Sequence, residues 1–241
     1  MEDKTGNQTR FITQFHGHNP RVPDVVINEF ITQGSSSHPD IVELLVLEDG
    51  NLSGMCVVEG TKSIWSDRLT LPSVDIAAGD FVLVHFKPEG IPEEQNETTD
   101  WGSSGGKDAS PAAWDYWVLG GNGLSGNNGV LTVYDKPEGR LLDGVLYSNR
   151  TSTSDEKYRG FGSKEMMQKA DELCAEDGWS PRGELVAPED GIDPEESTST
   201  RSICRSSSGS DTNSAADWHI VPTRGATFGE ENSNEIYSKE E

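Results

Sequence analysis

Glu29, Glu43 and Asp143 are the residues best placed for acid–base chemistry, because each sits among apolar neighbours. Carboxylates in such surroundings acquire raised pKa values and can act as general acid and base. Strand alternation gives a simpler reading, in which Glu29 and Glu43 point to solvent or cap backbone groups at strand ends. No catalytic residue is assigned on this basis. Gly121-Asn122-Gly123-Leu124-Ser125-Gly126 fits the dinucleotide-binding glycine pattern. That chemistry needs a following helix, and the residues after it read as a strand. Gly102-Ser103-Ser104-Gly105-Gly106 has the spacing of a nucleophile elbow, but it lacks the buried strand before and the helix after that the elbow requires. The first is read as a hairpin turn and the second as a Gly/Ser-rich loop.

Metal chemistry has two candidate places. His16 and His18 can reach one ion but have no carboxylate or Cys companion, and His38, His85 and His219 are isolated in sequence. Asp211, Asn213 and Asp217 bring hard oxygen donors together, which is calcium chemistry. The glycine of a sharp calcium-binding turn is missing there, so a surface loop is the competing reading. No other cofactor is implied. Trp101, Trp114, Tyr116 and Trp117 follow a polar stretch and could form a platform for a carbohydrate or a protein. The alternative is a split of residues 114–117 between core and surface by strand alternation, with Trp114 and Tyr116 on one face and Asp115 and Trp117 on the other.

The chain that must position these residues has 241 of them, with 19 Lys and Arg against 42 Asp and Glu, a formal net charge of −23. Such a field repels phosphate backbones, so direct nucleic-acid binding is not expected. No apolar run approaches the roughly 20 residues of a membrane span. The Met1-Glu2-Asp3-Lys4 start has no signal pattern, which suits a secreted protein or lipoprotein whose signal has been removed. Three cysteines are too few for a disulfide scaffold. Cys56 reads as a buried thiol, and Cys174 with Cys204 could staple the segment between them in an oxidising compartment.

Residues 1–22 are polar and read as a tail or docked arm. Apolar, β-branched runs follow at 25–31, 41–47, 55–58, 65–71, 81–86, 114–119, 130–134 and 141–147, then at 200–205 and 218–221. Turn residues such as Ala78-Gly79-Asp80 bound them, and this spacing predicts a sandwich or barrel. Residues 88–113 and 148–198 are insertions. The second holds the one predicted helix, 163–174, capped by Ser163. Its acidic, Pro-bearing part, 183–197, reads as an exposed loop. Residues 229–241 read as an acidic tail.

Several motifs in order resemble the lamin tail domain, an immunoglobulin-like module. Val26-Ile27-Asn28-Glu29-Phe30 is similar to its first strand, and Asp40-Ile41-Val42-Glu43-Leu44 to its second. Asn51-Leu52-Ser53-Gly54 resembles its Leu-Ser-Gly turn, and Leu124-Ser125-Gly126 the turn before Val130-Leu131-Thr132-Val133-Tyr134. Gly139, Asp143 and Tyr147 fall as in the family pattern, and Pro222-Thr223-Arg224-Gly225 resembles the closing turn of bacterial members. Leu45-Val46-Leu47 and the long 148–198 insertion depart from it. The resemblance spans residues 23–228. It implies an all-β, immunoglobulin-like β-sandwich with one short helix in an insertion. It also implies a non-catalytic interaction or scaffolding module at the cell envelope or outside the cell, with a protein or cell-surface partner. The competing expectation is a carbohydrate-binding or calcium-dependent module, or the accessory domain of a hydrolase.

Overall fold

The computed structural model describes residues 4–6, 8, 10, 17–207 and 211–239. Its strands grow from the β-branched and aromatic runs, whose side chains suit a pleated surface. They are β1 (Val25–Ile31), β2 (Ile41–Val46), β3 (Gly50–Asn51), β4 (Cys56–Gly60), β5 (Trp65–Thr70), β6 (Asp75–Ile76) and β7 (Phe81–His85). After the first insertion come β8 (Trp114–Trp117), β9 (Asn128–Tyr134) and β10 (Leu141–Ser148), then α1 (Lys164–Ala175), β11 (Ile203–Arg205) and β12 (Trp218–Ile220).

Two sheets form the sandwich. One has the order β12-β11-β1-β2-β7-β8 and the other β10-β9-β4-β5, while β3 and β6 make a small separate pair. Neighbours run antiparallel except β7 and β8, which are parallel because the 88–113 insertion carries the chain back between them. Ile27, Phe30, Val42, Leu44, Val82, Val84 and Tyr116 meet Val57, Leu131, Val133, Val145 and Tyr147 in one core. The sandwich with one short helix in an insertion is the architecture anticipated from the sequence. The two-residue strands β3 and β6 are too short to leave a periodic signal.

Ser163 caps α1 as its sequence suggests, with its Oγ accepting from the Met166 amide at 3.1 Å. The helix contacts β9, and its Leu173 reaches β10 so closely that a Cβ at Gly144 would stand 2.4 Å from the leucine Cδ1. The 183–197 stretch is a correction to the exposed loop expected. Val186 and Ile192 are buried in the core, and Ile192 bonds to β10 through its amide to Leu146 O and its carbonyl from Ser148 N. Backbone pairing along β10 holds an acidic segment that composition alone assigns to solvent.

The same holds at the ends of the chain. Asn19 donates to the carbonyls of Asn51 and Ser53, and Arg21 pairs with Asp75, so residues 19–22 are a docked arm. Residues 226–237 are not a free tail but a strap across the six-stranded sheet, ending with the Tyr237 amide on Ile220 O at 2.7 Å.

All three cysteines are free thiols. Cys56 is buried, as expected; Cys174 on α1 and Cys204 on β11 are not joined. Since Leu173 is fully buried beneath α1, Leu173→Ala is expected to lower stability by about 3 kcal/mol, read as the denaturation midpoint; a loss under about 1 kcal/mol would mean the helix is not seated on the sheet.

Candidate binding surface

The outer face of the six-stranded sheet is unusual in what it buries. Registry places Glu29 beside Cys204 on one side and Glu43 on the other. Glu43 lies opposite Leu83, and Leu83 beside Asp115. One cross-strand row therefore holds three carboxylates, and Glu29, Glu43 and Asp115 are all 0% exposed. This overturns the expectation that Glu29 and Glu43 face solvent. A buried carboxylate must be satisfied by hydrogen-bond donors, and two covering segments supply them.

The strap covers Glu29 and Glu43. Thr227 donates its amide and hydroxyl to Glu29, at 3.0 and 2.8 Å, and Ser202 donates from β11's side. Gly229 donates its amide to Glu43 Oε2 at 2.5 Å, and Asn28 donates to Oε1 at 2.7 Å. Asn28 sits at the irregularity in β1 between Ile27 and Glu29, and Asn232 of the strap donates to its backbone oxygen. Gly229 has φ +83°, and a Cβ there would lie 2.7 Å from Ser110 Oγ. The strap can approach the 88–113 excursion only with glycine at that point.

The excursion covers Asp115. Its Oδ1 lies 2.6 Å from His85 Nε2, and its Oδ2 accepts from the Ser110 amide. The Asp115 amide donates to Glu97 Oε2, and Glu97 Oε1 accepts the amides of Ser103 and Ser104. His85 stacks on Trp117 with ring centres 3.8 Å apart, and Trp117 Nε1 donates to Ser104 Oγ. The nucleophile-elbow spacing is therefore a loop whose serines anchor the excursion. The dinucleotide-like glycines form a turn in which the Leu124 amide donates to Asp40 Oδ2 at 2.8 Å.

Asp143 of β10 joins the two sheets. Its Oδ2 accepts from the Ile27 amide at 2.6 Å and from Arg205 at 2.9 Å, while Arg205 Nε donates to Ile27 O. Burial pushes the Asp143 carboxyl up to about 7 against the pull of Arg205.

The candidate calcium residues do other work. Asp211 lies 2.8 Å from Arg205, Asp217 accepts from the Thr212 amide and hydroxyl, and Asn213 donates to Asp177 O. Among the described residues no three His, Cys, Asp or Glu side chains converge as ligands do. His16 lies outside the described residues.

The four-member aromatic platform separates. Tyr116 and Trp117 are buried, because the inner core and the excursion cover both faces of β8. Asp115 and Trp117 thus have no solvent face, contrary to simple alternation. Trp101, 48% exposed, stays at the surface beside Trp114, which is half-buried and packs on the core, their ring centres 6.2 Å apart and tilted by 57°. These two line a shallow cleft with Asp80, Thr99 and Asp100. A second groove of about 610 Å³ runs between the excursion and the strap, with His38, Asp108, Ser110, Arg224 and Glu230 on its walls. The donors Thr227, Gly229 and Glu97's serine amides escape sequence reasoning. The available signal was a charged residue inside each of two strongly apolar runs.

A family model described as TP_1001_2nd, protein second domain, matches residues 23–220. An uncharacterized protein of Treponema pallidum (strain Nichols) is 26% identical over 149 residues, which are 61% of this chain and 37% of that protein. The matched stretch thus spans well under half of that relative.

Burial raises the Glu29 carboxyl and pushes Glu43 up to about 8, opposed by the Gly229 and Asn28 hydrogen bonds and reinforced by the charge of Glu29. An acid raised in the folded state contributes stability that is complete below its unfolded pKa near 4.5 and lost as pH rises through about 8. The melting midpoint is therefore expected to fall by roughly 5 °C or more between about pH 5.5 and about pH 9. Glu43→Gln should flatten that slope. An equally steep slope in the variant would remove Glu43 as its source.

Proposed function

We propose that this chain, which belongs to the TP_1001_2nd family of protein second domains, is a non-catalytic, lamin-tail-like interaction or scaffolding domain of a longer protein. Its setting is the cell envelope or the outside of the cell, and its partner is a protein or a cell-surface component. The observation that carries this reading is the state of the carboxylates. Glu29, Glu43 and Asp115 are fully buried, and their oxygens hold the strap and the excursion in place. General acid–base catalysis needs a group within reach of a bound substrate, and these lie beneath the covering segments.

A rigid sandwich that displays insertions is the usual division between scaffold and recognition. The excursion and the strap are the displayed elements here. The net charge of −23 disfavours nucleic acid as the partner. The carbohydrate reading loses two of its four aromatic residues to burial, Tyr116 in the core and Trp117 under the excursion, which leaves the interaction domain as the better supported of the two. The domain works without a cofactor in this reading, since Asp211 and Asp217 are engaged by Arg205, Thr212 and Ser214.

Two measurements test it. Chromogenic esters, glycosides and phosphate esters are expected to show no turnover, and turnover that a folded Glu29→Gln or Glu43→Gln variant abolishes would overturn the reading. Calcium and chelator are expected to leave the melting midpoint within about 1 °C of each other; a clear rise with calcium would restore a cation site at Asp211 and Asp217.

A further inference from the structure

We propose that the Trp101–Trp114 cleft receives a lysine or arginine side chain from a basic segment of the partner protein. This rests on the interaction-domain reading and names the chemistry of its partner.

Six aromatic faces elsewhere on the molecule are already occupied by cations of the same chain. Arg68 lies 4.6 Å from the Trp65 ring centre and Arg205 4.6 Å from that of Trp218. Lys62, Lys157, Arg159 and Arg201 cover Tyr134, Tyr158, Phe161 and Tyr237 in the same way. Of the two exposed tryptophans, Trp65 therefore has its cation, while Trp101 has none among the described residues, nor has the half-buried Trp114 beside it. Their tilted rings form two walls of a cleft instead of a flat shelf.

The rim of that cleft is anionic. Asp80 uses Oδ2 to accept from the Ala77 amide, and among the described residues neither Asp80 nor Asp100 has an ion pair. A cation over a tryptophan face is attracted by the ring quadrupole, and a flanking carboxylate adds direct charge complementarity. The net charge of −23 steers basic segments toward the domain, and a neutral sugar gains nothing from it.

The cleft is also pre-organised, which lowers the entropic cost of binding. Trp101 is followed by Gly102 at φ +67°, whose Cβ position lies 3.2 Å from Pro111. Ser103 donates its hydroxyl to Asp100 O at 2.8 Å and its amide to the buried Glu97. The turn that presents Trp101 is thus tied to the Asp115 end of the buried acid row.

The test is calorimetric titration of the full chain with a soluble Gly–Lys repeat peptide and with the same peptide acetylated on its lysines. The unmodified peptide is expected to bind and the acetylated one not to. Trp101→Ala is expected to weaken binding about three- to tenfold with an unchanged melting midpoint. Asp100→Asn should weaken it as well, and Trp65→Ala should leave it as it is. Equal affinity in wild type and Trp101→Ala would overturn the proposal, since attraction would then come from diffuse charge alone. Binding of a neutral oligosaccharide at Trp101, with no peptide binding, would also overturn it. Equal affinity overturns the cleft alone and leaves the interaction-domain reading standing, whereas oligosaccharide binding at Trp101 favours the competing carbohydrate module and overturns both.

Discussion

Glu29 opposite Glu43 in adjacent central strands is the constraint from which the outer face of the sheet follows. Two carboxylates at that spacing, both removed from water, repel one another and lose hydration. The fold answers with donors at fixed positions: amides of Thr227 and Gly229, hydroxyls of Thr227 and Ser202, and the Asn28 side chain. A buried acid that lost its donors would cost more than the bonds themselves are worth. The strap is therefore part of the domain, and its course is dictated by where the acids sit.

Asp115 plays the corresponding part for the excursion, at the other end of the same row. Its partners run outward from His85 through Ser110 to Glu97 and the serine amides beside Trp101. The buried acid row and the exposed Trp101 turn are thus two ends of one hydrogen-bond network. Asp143 with Arg205 ties this sheet to the other through the backbone of Ile27, so the strap side, the excursion side and the sheet–sheet junction all depend on carboxylates inside the structure.

The strands of the core were legible because Val, Ile and Leu recur in short runs between turn residues, and α1 because Ser163 precedes a helical spacing of Met166, Ala170 and Leu173. The acids were misread for one reason. Alternation tells which residues share a face, but whether that face meets solvent depends on segments distant in sequence. Thr227 lies 198 residues from Glu29 and Gly229 lies 186 from Glu43, and no local pattern connects them. Composition misled at 183–197 and at the C-terminal strap in the same way, since both are acidic and both are held by backbone amides that composition does not see. The four aromatic residues of the platform were not separable from one another in sequence, because which of them stay exposed depends on the excursion folding over β8.

Native-state hydrogen exchange at the Thr227 and Gly229 amides tests the central claim most directly. If the strap is clasped by Glu29 and Glu43, these two amides should exchange within about tenfold of the rates in β1 and β2, because they open only when the sheet face opens. Exchange at the rate of an unstructured peptide would contradict the account, since the acids would then be held by something other than the strap.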